Sequence, residues 1–227
     1  MINKLYYLTI DDNFDRENYN LLLSFVSKDK QRQVIQLSND ISKKVTLYAE
    51  ALSRIIACND LGVSNTEITF LRNRYGKPYI KEFPKYHFNI SHTSNIIVIV
   101  ISNNEIGVDI EKIRNADLRI AKRFFTKYEQ EYILENSRVQ NNRFYEVWTK
   151  KEAYMKYVGK GLHMPLNSFN VFDRNISEKL KTFKRDDYLI TICSDCLDNG
   201  FSTIETNEKQ VESMMLSMLS NNKSIKV

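Results

Sequence analysis

The chain has 227 residues, 42% of them hydrophobic and 27% charged, the makeup of a globular protein with room for one large domain or two small ones. Its net charge of +5 comes without a dense Lys/Arg block interleaved with aromatics, which suits an anionic ligand and argues against nucleic acid as the main partner. Six glycines and three prolines exclude a fibrous chain, and the longest aliphatic run, Ile96 to Ile101, is too short to span a membrane.

The N-terminus lacks the basic region, apolar run and small-residue cleavage site of a secretory leader. The three cysteines, Cys58, Cys193 and Cys196, make no disulfide framework. Cys193 and Cys196 form a lone C-x-x-C with no second ligand pair, read as two thiols beside a late strand rather than a metal site. A cytoplasmic protein is expected.

In chain order, Lys4 to Ile10 predicts a strand and Glu17 to Val26 a short helix. Ser27 to Leu37 predicts a basic helix carrying Lys28, Lys30 and Arg32. A stronger helix follows over Ser42 to Asn59, where Val45, Tyr48, Ala49, Leu52, Ile55 and Ile56 keep helical spacing and Gly62 marks a left-handed cap. Strands are predicted at Glu67 to Arg72, His87 to Ser91 and Ile96 to Ile101, with a turn at Arg74 to Pro78. Ser102 to Glu105 suits a hairpin delivering a further strand, Ile106 to Glu111.

The second half repeats the helical theme. Asp117 to Phe125 is short and amphipathic, Thr126 with Glu129 matches a capping box, and Asn142 to Val158 is a long helix stopped by Gly159 and Gly161. Strands are predicted near Phe169 to Phe172, Tyr188 to Cys193 and Phe201 to Glu205, and a terminal helix at Met214 to Met218. The plan is two α/β halves of similar size divided near Asn103, packed tightly because no flexible linker separates them.

Three stretches carry chemistry. In Gly107-Val108-Asp109-Ile110-Glu111, strand alternation sends both carboxylates to one face. Such a pair is either a solvated face or a site for a hard cation such as Mg²⁺. In Trp148-Thr149-Lys150-Lys151-Glu152-Ala153-Tyr154-Met155-Lys156, the residues Trp148, Glu152 and Lys156 form one helical stripe. Glu152 with Lys156 is either a surface ion pair or a partly buried pair in need of a metal and a phosphate. In Phe88-Asn89-Ile90-Ser91-His92-Thr93, Asn, Ser and His offer donors to phosphate oxygens, although His92 alone reads equally as a turn histidine. Nothing resembles a nucleophile elbow around any serine.

Asn89-Ile90-Ser91-His92, Gly107 to Glu111, and Trp148 to Ala153 with Lys156, in this order, resemble the surfactin-type phosphopantetheinyl transferase family. Arg74-Tyr75-Gly76-Lys77-Pro78, Arg123-Phe124-Phe125 and Gly159-Lys160-Gly161-Leu162 add to the resemblance, which runs from about Ser24 to Phe169; the remainder looks generic. It implies an α/β (α+β) monomer of two similar, pseudo-symmetric halves, here 1–103 and 104–227, with coenzyme A in the cleft between them.

It further implies transfer of the 4'-phosphopantetheine group from coenzyme A to a serine of an apo acyl or peptidyl carrier protein, releasing 3',5'-ADP. Mg²⁺, with Mn²⁺ as alternative, would be held by Asp109, Glu111 and Glu152. Lys156 would lie near the pyrophosphate, Ser91 and His92 at phosphate positions, and Lys77 near the nucleotide. Lys28, Lys30, Lys44 and Thr46 would hold the 3'-phosphate, although Gln33 stands where a second basic residue is expected after Lys30. Glu152, Lys156 and His92 are the expected catalytic residues, with Glu152 as base. The carrier is expected to dock around Phe124 to Tyr132 and after Gly159. Neither nucleic acid nor membrane is an expected partner. Two other readings compete with this one. A metal-dependent nuclease is disfavoured because Lys156 follows Glu152 by a helical turn rather than in Glu-x-Lys on a strand. An inactive binding module would be expected to lack one of the three carboxylates.

Overall fold

The computed structural model describes residues 3–11, 13, 15–197 and 200–224. In chain order these form β1 (Lys4–Thr9), α1 (Arg16–Phe25), α2 (Lys28–Ile35), α3 (Asp40–Leu61), β2 (Phe70–Arg72), β3 (Pro78–Ile80), β4 (His87–Thr93) and β5 (Ile96–Ser102). There follow β6 (Ile106–Lys112), α4 (Leu118–Phe124), α5 (Lys127–Leu134), α6 (Gln140–Val158), α7 (Arg174–Ser177), β7 (Leu180–Arg185), β8 (Tyr188–Ser194), β9 (Ser202–Asn207) and α8 (Glu208–Ser224). Among the described residues no helix is long and apolar enough to cross a membrane.

The two halves repeat one plan. A first strand, three helices of which the third is the longest, and a closing hairpin appear as β1, α1–α3, β4–β5 and again as β6, α4–α6, β7–β8. In both, the second strand of the hairpin lies against the first strand: the sheets are ordered β4-β5-β1-β9 and β7-β8-β6. The fold is thus the expected mixed α/β one with pseudo-symmetric halves. β2 and β3 form a separate small hairpin.

Local chemistry sets the helix ends. Asp15, Ser27, Asn39, Asp117 and Thr126 each accept a backbone N–H at a helix start, satisfying donors the helix cannot. Thr126 and Glu129 complete the predicted capping box.

Three apolar layers hold the structure. One face of the first sheet (Ile97, Ile99, Ile101) packs on α3 through Leu52 and Ile55. Its other face (Leu5, Tyr7, Val98, Val100) meets Val108, Ile110, Ile190 and Ile192 of the second sheet. The far side of the second sheet receives α6, with α5 packed on α6 and α4 on α5. β5 is buried on both faces, which explains its unalternating aliphatic run.

Three expectations are corrected, and one strand is added. Ser102 to Glu105 is not a hairpin: both edges of β5 are already taken by β4 and β1, so β6 passes to the other sheet and pairs with β8. At Glu67 the chain makes a short 3₁₀ turn, because the Glu67 carboxylate binds Ser64 instead, and the strand begins at Phe70. Phe169 to Phe172 is not a strand; its backbone is satisfied by two buried side chains, Lys151 on the Phe169 carbonyl and Glu129 on the Val171 N–H. The edge strand β7 was missed, since Leu180-Lys181-Thr182-Phe183-Lys184-Arg185 carries little apolar alternation.

β9 and α8 return to the first half. β9 pairs in parallel with β1, and α8 is tied to α3 by Lys44, which meets Glu208 at 2.9 Å.

Candidate active site

The site forms where the halves meet edge to edge. β4 and β6 lie side by side, joined by side chains: Asn89 Oδ1 accepts from Val108 N at 3.0 Å and Ser91 Oγ from Ile110 N at 3.4 Å. Alternation turns Val108 and Ile110 into the layer between the sheets and Asp109 and Glu111 toward α6. Gly107 lets α6 come close: a Cβ there would lie 2.1 Å from Ala153 O and 2.4 Å from Tyr157 N.

That approach brings the Glu152–Lys156 stripe over the β6 carboxylates. Lys156 Nζ lies 2.7 Å from Asp109 Oδ1 and 2.8 Å from Ser91 Oγ, and Ser91 Oγ donates to the same carboxylate oxygen at 2.8 Å. Lys156 therefore pairs with Asp109 within the second half and reaches Ser91 across the junction. Thr93 donates to Glu111 at 3.2 Å. Asp109 is buried, and its Oδ2 has no partner among the described residues.

Crowding of like charge shows in the protonation. Burial first, then the Asp109 and Glu111 charges, push the Glu152 carboxyl up to about 7 against the pull of Lys156. Burial and Asp109 also raise Glu111, partly offset by Thr93, Arg114 and the Trp148 indole. A carboxyl balanced near neutral pH in a cleft fits a proton acceptor or a ligand that loses its proton to a cation.

The donor set suits a hard cation: three carboxylates face one another, and one buried oxygen lacks a hydrogen bond. As the side chains stand, no three His, Cys, Asp or Glu among the described residues are gathered tightly enough to enclose a metal ion, and Lys156 occupies one oxygen of Asp109. Mg²⁺ does not need such a cage, since it takes one or two carboxylates and completes its shell with water and substrate phosphates. The residues fit the group.

Two adjoining cavities open beside these groups, sharing Pro78 and Ile90 as walls. One, about 250 Å³, spans the halves between Tyr75 and Lys77 on one side and Glu152, Lys156 and Gly159 on the other. The second, about 580 Å³, lies in the first half and is lined by Lys30, Thr46, Glu50, Arg72 and His92 among others.

The structure gathers Ser91, Asp109, Glu111, Glu152 and Lys156 in one cluster. His92, one residue on, projects from the opposite face of β4 into the second cavity with Lys30 and Thr46. Burial and the cations Lys156 and Lys30 lower its pKa. Lys77 lines the first cavity, but its ammonium is engaged by Glu105 at 2.6 Å. Lys28 is exposed and lines neither cavity. Lys44 is buried away from both, bonded to Asp11 at 2.6 Å as well as to Glu208.

Sequence reasoning missed Arg72. It lines the second cavity close enough for its charge to depress Lys30, whose pKa burial already lowers. Gln33 lines the same cavity and accepts from Lys30 at 3.0 Å; the basic residue absent at that position is supplied from β2. The available signal was hairpin register, which sets Arg72 opposite Pro78, the wall residue of both cavities.

Comparison with known proteins agrees with this geometry. Residues 13–104 match the model of the 4'-phosphopantetheinyl transferase N-terminal domain, and 105–210 that of the 4'-phosphopantetheinyl transferase superfamily. The chain is 39% identical to 4'-phosphopantetheinyl transferase gsp of Aneurinibacillus migulanus over 175 residues, 76% of this chain and 72% of that protein. It is 36% identical to 4'-phosphopantetheinyl transferase ffp of Bacillus subtilis and 34% to 4'-phosphopantetheinyl transferase Sfp of the same species, each over 74% of this chain and 75% of the relative. With both halves matched, and with its carboxylates and lysine gathered where the halves join, the chain belongs to the surfactin-type 4'-phosphopantetheinyl transferase family.

Proposed function

We propose that this enzyme moves the 4'-phosphopantetheine arm of coenzyme A onto a serine of an apo acyl or peptidyl carrier protein. The observation that carries the reading is the meeting of Asp109, Glu111, Glu152 and Lys156 beside a cavity walled by both halves. The serine Oγ attacks the β-phosphorus of coenzyme A as the bond to the bridging oxygen breaks. The leaving 3',5'-ADP keeps the electron pair, and Glu152 takes the serine proton.

Asp109, Glu111 and Glu152 would hold Mg²⁺, or Mn²⁺ in its place, which when bound supplies charge neutralisation on the diphosphate. Lys156 is half-buried and on a flexible stem, able to pass from Asp109 to a phosphate oxygen and stabilise developing charge. Ser91 fixes Asp109. His92, Lys30, Arg72 and Thr46 face the second cavity and would receive the 3'-phosphate and nucleotide. Lys28 and Lys44 stand apart from that cavity in this conformation, so a contact from either requires the α1–α3 region to rearrange.

We assign the halves as 1–103 and 104–227. The enzyme is proposed to act as a cytoplasmic monomer, without nucleic acid or membrane. Its net charge of +5 suits acidic carriers approaching by electrostatic steering.

The deciding test is the intact mass of an apo carrier protein incubated with the enzyme, coenzyme A and Mg²⁺. The expected result is a gain of about 340 Da, the mass of one phosphopantetheine arm, abolished by EDTA and by Asp109→Ala. No gain on carriers from several pathways, with the enzyme folded, overturns the proposal.

A further inference from the structure

The tip of the β2–β3 hairpin reaches from the first half to the C-terminal end of α6 in the second. Asn73 Nδ2 donates to Gly159 O at 3.1 Å, and Lys77 Nζ donates to Tyr157 O at 3.2 Å. The same ammonium donates to Ile106 O at 3.2 Å, at the start of β6, and pairs with Glu105. The last carbonyls of a helix have no partner within it and carry the negative end of its dipole. In α6 one of them, Tyr157 O, receives an ammonium from the opposite half, and the carbonyl of Gly159, the residue that ends the helix, receives an amide.

The contact is a built one. Asn73 Oδ1 accepts from Tyr75 N at 2.9 Å and from Lys77 N at 3.0 Å, which fixes the shape of the tip. A Cβ on Gly159 would lie 3.1 Å from Lys77 Cδ, and one on Gly161 would lie 3.1 Å from Tyr75 O. Gly159 also adopts the left-handed conformation, φ 72°, that ends the helix. A side chain at either position would therefore crowd the hairpin tip, and the left-handed backbone of both glycines disfavours one as well.

α6 carries Glu152 and Lys156, and Lys156 immediately precedes the Tyr157 carbonyl that Lys77 holds. We propose that Asn73 and Lys77 are positioning residues for the transfer reaction: they clamp the C-terminal turn of α6 from the opposite half and so set where Lys156 stands relative to Asp109 and the cavity. The reaction named here rests on the function proposed above. Lys77 then acts through α6 and β6 rather than by binding a phosphate of coenzyme A.

The test compares wild type with Lys77→Met and Asn73→Ala. Hydrogen exchange is read on the protein alone, and steady-state kinetics are read with coenzyme A and an apo carrier. Both variants should exchange the amides of the last turn of α6 about tenfold faster. Both should lose about tenfold or more in kcat, with the KM for coenzyme A within about twofold of wild type. Lys77→Arg, which keeps the donor and the charge, should restore most of the protection. Unchanged exchange with a raised KM for coenzyme A in Lys77→Met alone makes Lys77 a direct ligand and overturns the proposal. If Lys77→Met does not fold, Asn73→Ala decides it, since a neutral residue that bonds the tip and Gly159 should give the same pair of effects. Absence of transfer by the wild type would sink the functional reading and leave the exchange result standing.

Discussion

Lys156 and Asp109 meet at 2.7 Å beside the junction of the halves, so a buried carboxylate on β6 is neutralised by a cation from the facing helix. In this arrangement lysine and metal compete for Asp109. Lys156→Met should leave Asp109 without its counter-charge and lower the thermal midpoint of the metal-free protein. Mg²⁺ should then raise the midpoint of the variant more than that of wild type, while transfer falls. Equal Mg²⁺ effects on both proteins would show that the ion does not share Asp109 with the lysine.

Glu152 gives a pH signature. Its carboxyl is pushed from 4.5 up to about 7 in the folded state, so folding takes up a proton. The associated stability is complete below the unfolded value and is lost as pH rises through about 7. The metal-free wild type should therefore lose thermal midpoint relative to Glu152→Gln between about pH 5 and 8, and Mg²⁺ should recover part of it by displacing the proton. Parallel curves for the two proteins would refute the shift.

The second cavity predicts selectivity within the ligand. Arg72→Met and Lys30→Met should each weaken coenzyme A by about tenfold, the value of one charge-assisted contact to phosphate. Affinity for 3'-dephospho-coenzyme A should change little. Calorimetric titration of both ligands checks this; an equal loss on both would move the 3'-phosphate elsewhere.

Lys151 and Glu129 form an ion pair with neither side chain exposed. Lys151 also donates to Leu166 O at 2.7 Å and Phe169 O at 2.9 Å, while Glu129 receives the Thr126 and Val171 N–H groups at 2.9 Å. Lys151→Met strands a buried carboxylate and should cost about 3–5 kcal/mol, lowering the thermal midpoint by about 10 °C. The double variant Lys151→Met/Glu129→Gln should recover part of that loss. A midpoint within about 2 °C of wild type in the single variant would contradict the account.

The docking face lends itself to a kinetic test. Phe124 is 40% and Tyr128 59% exposed, flanking the exposed Lys127 on the segment expected to meet the carrier. Lys127→Glu should raise the KM for an acidic carrier several-fold and leave that for coenzyme A unchanged. Equal effects on both would count against this surface.

The parts of the molecule written in local chemistry were legible in the sequence: the capping box at Thr126, the glycine stops, and the burial of Ile96 to Ile101. So was the pairing of Asp109 with Glu111 on one strand face. What escaped depended on distant partners. The fate of Ser102 to Glu105 turned on which edges of β5 were already occupied. Phe169 to Phe172 was decided by two buried charges on helices far away in sequence. Arg72 and Lys44 exchanged places with respect to the expected basic pocket, one entering it through hairpin register and the other drawn off by Asp11 and Glu208. Alternation also divided Ser91 from His92, which a linear motif presents as neighbours.

The parallel pairing of β1 with β9 sets Lys4 against Ser202. During synthesis the first half is therefore made early yet left with an open edge until residues 202–207 clear the ribosome. Loop closure over so long a separation is slow, and an unpaired β1 in the interval is a template for pairing with other chains. Completion of the first sheet thus becomes a late event in the life of the nascent protein, and until then β1 keeps one edge free for a partner from outside the chain.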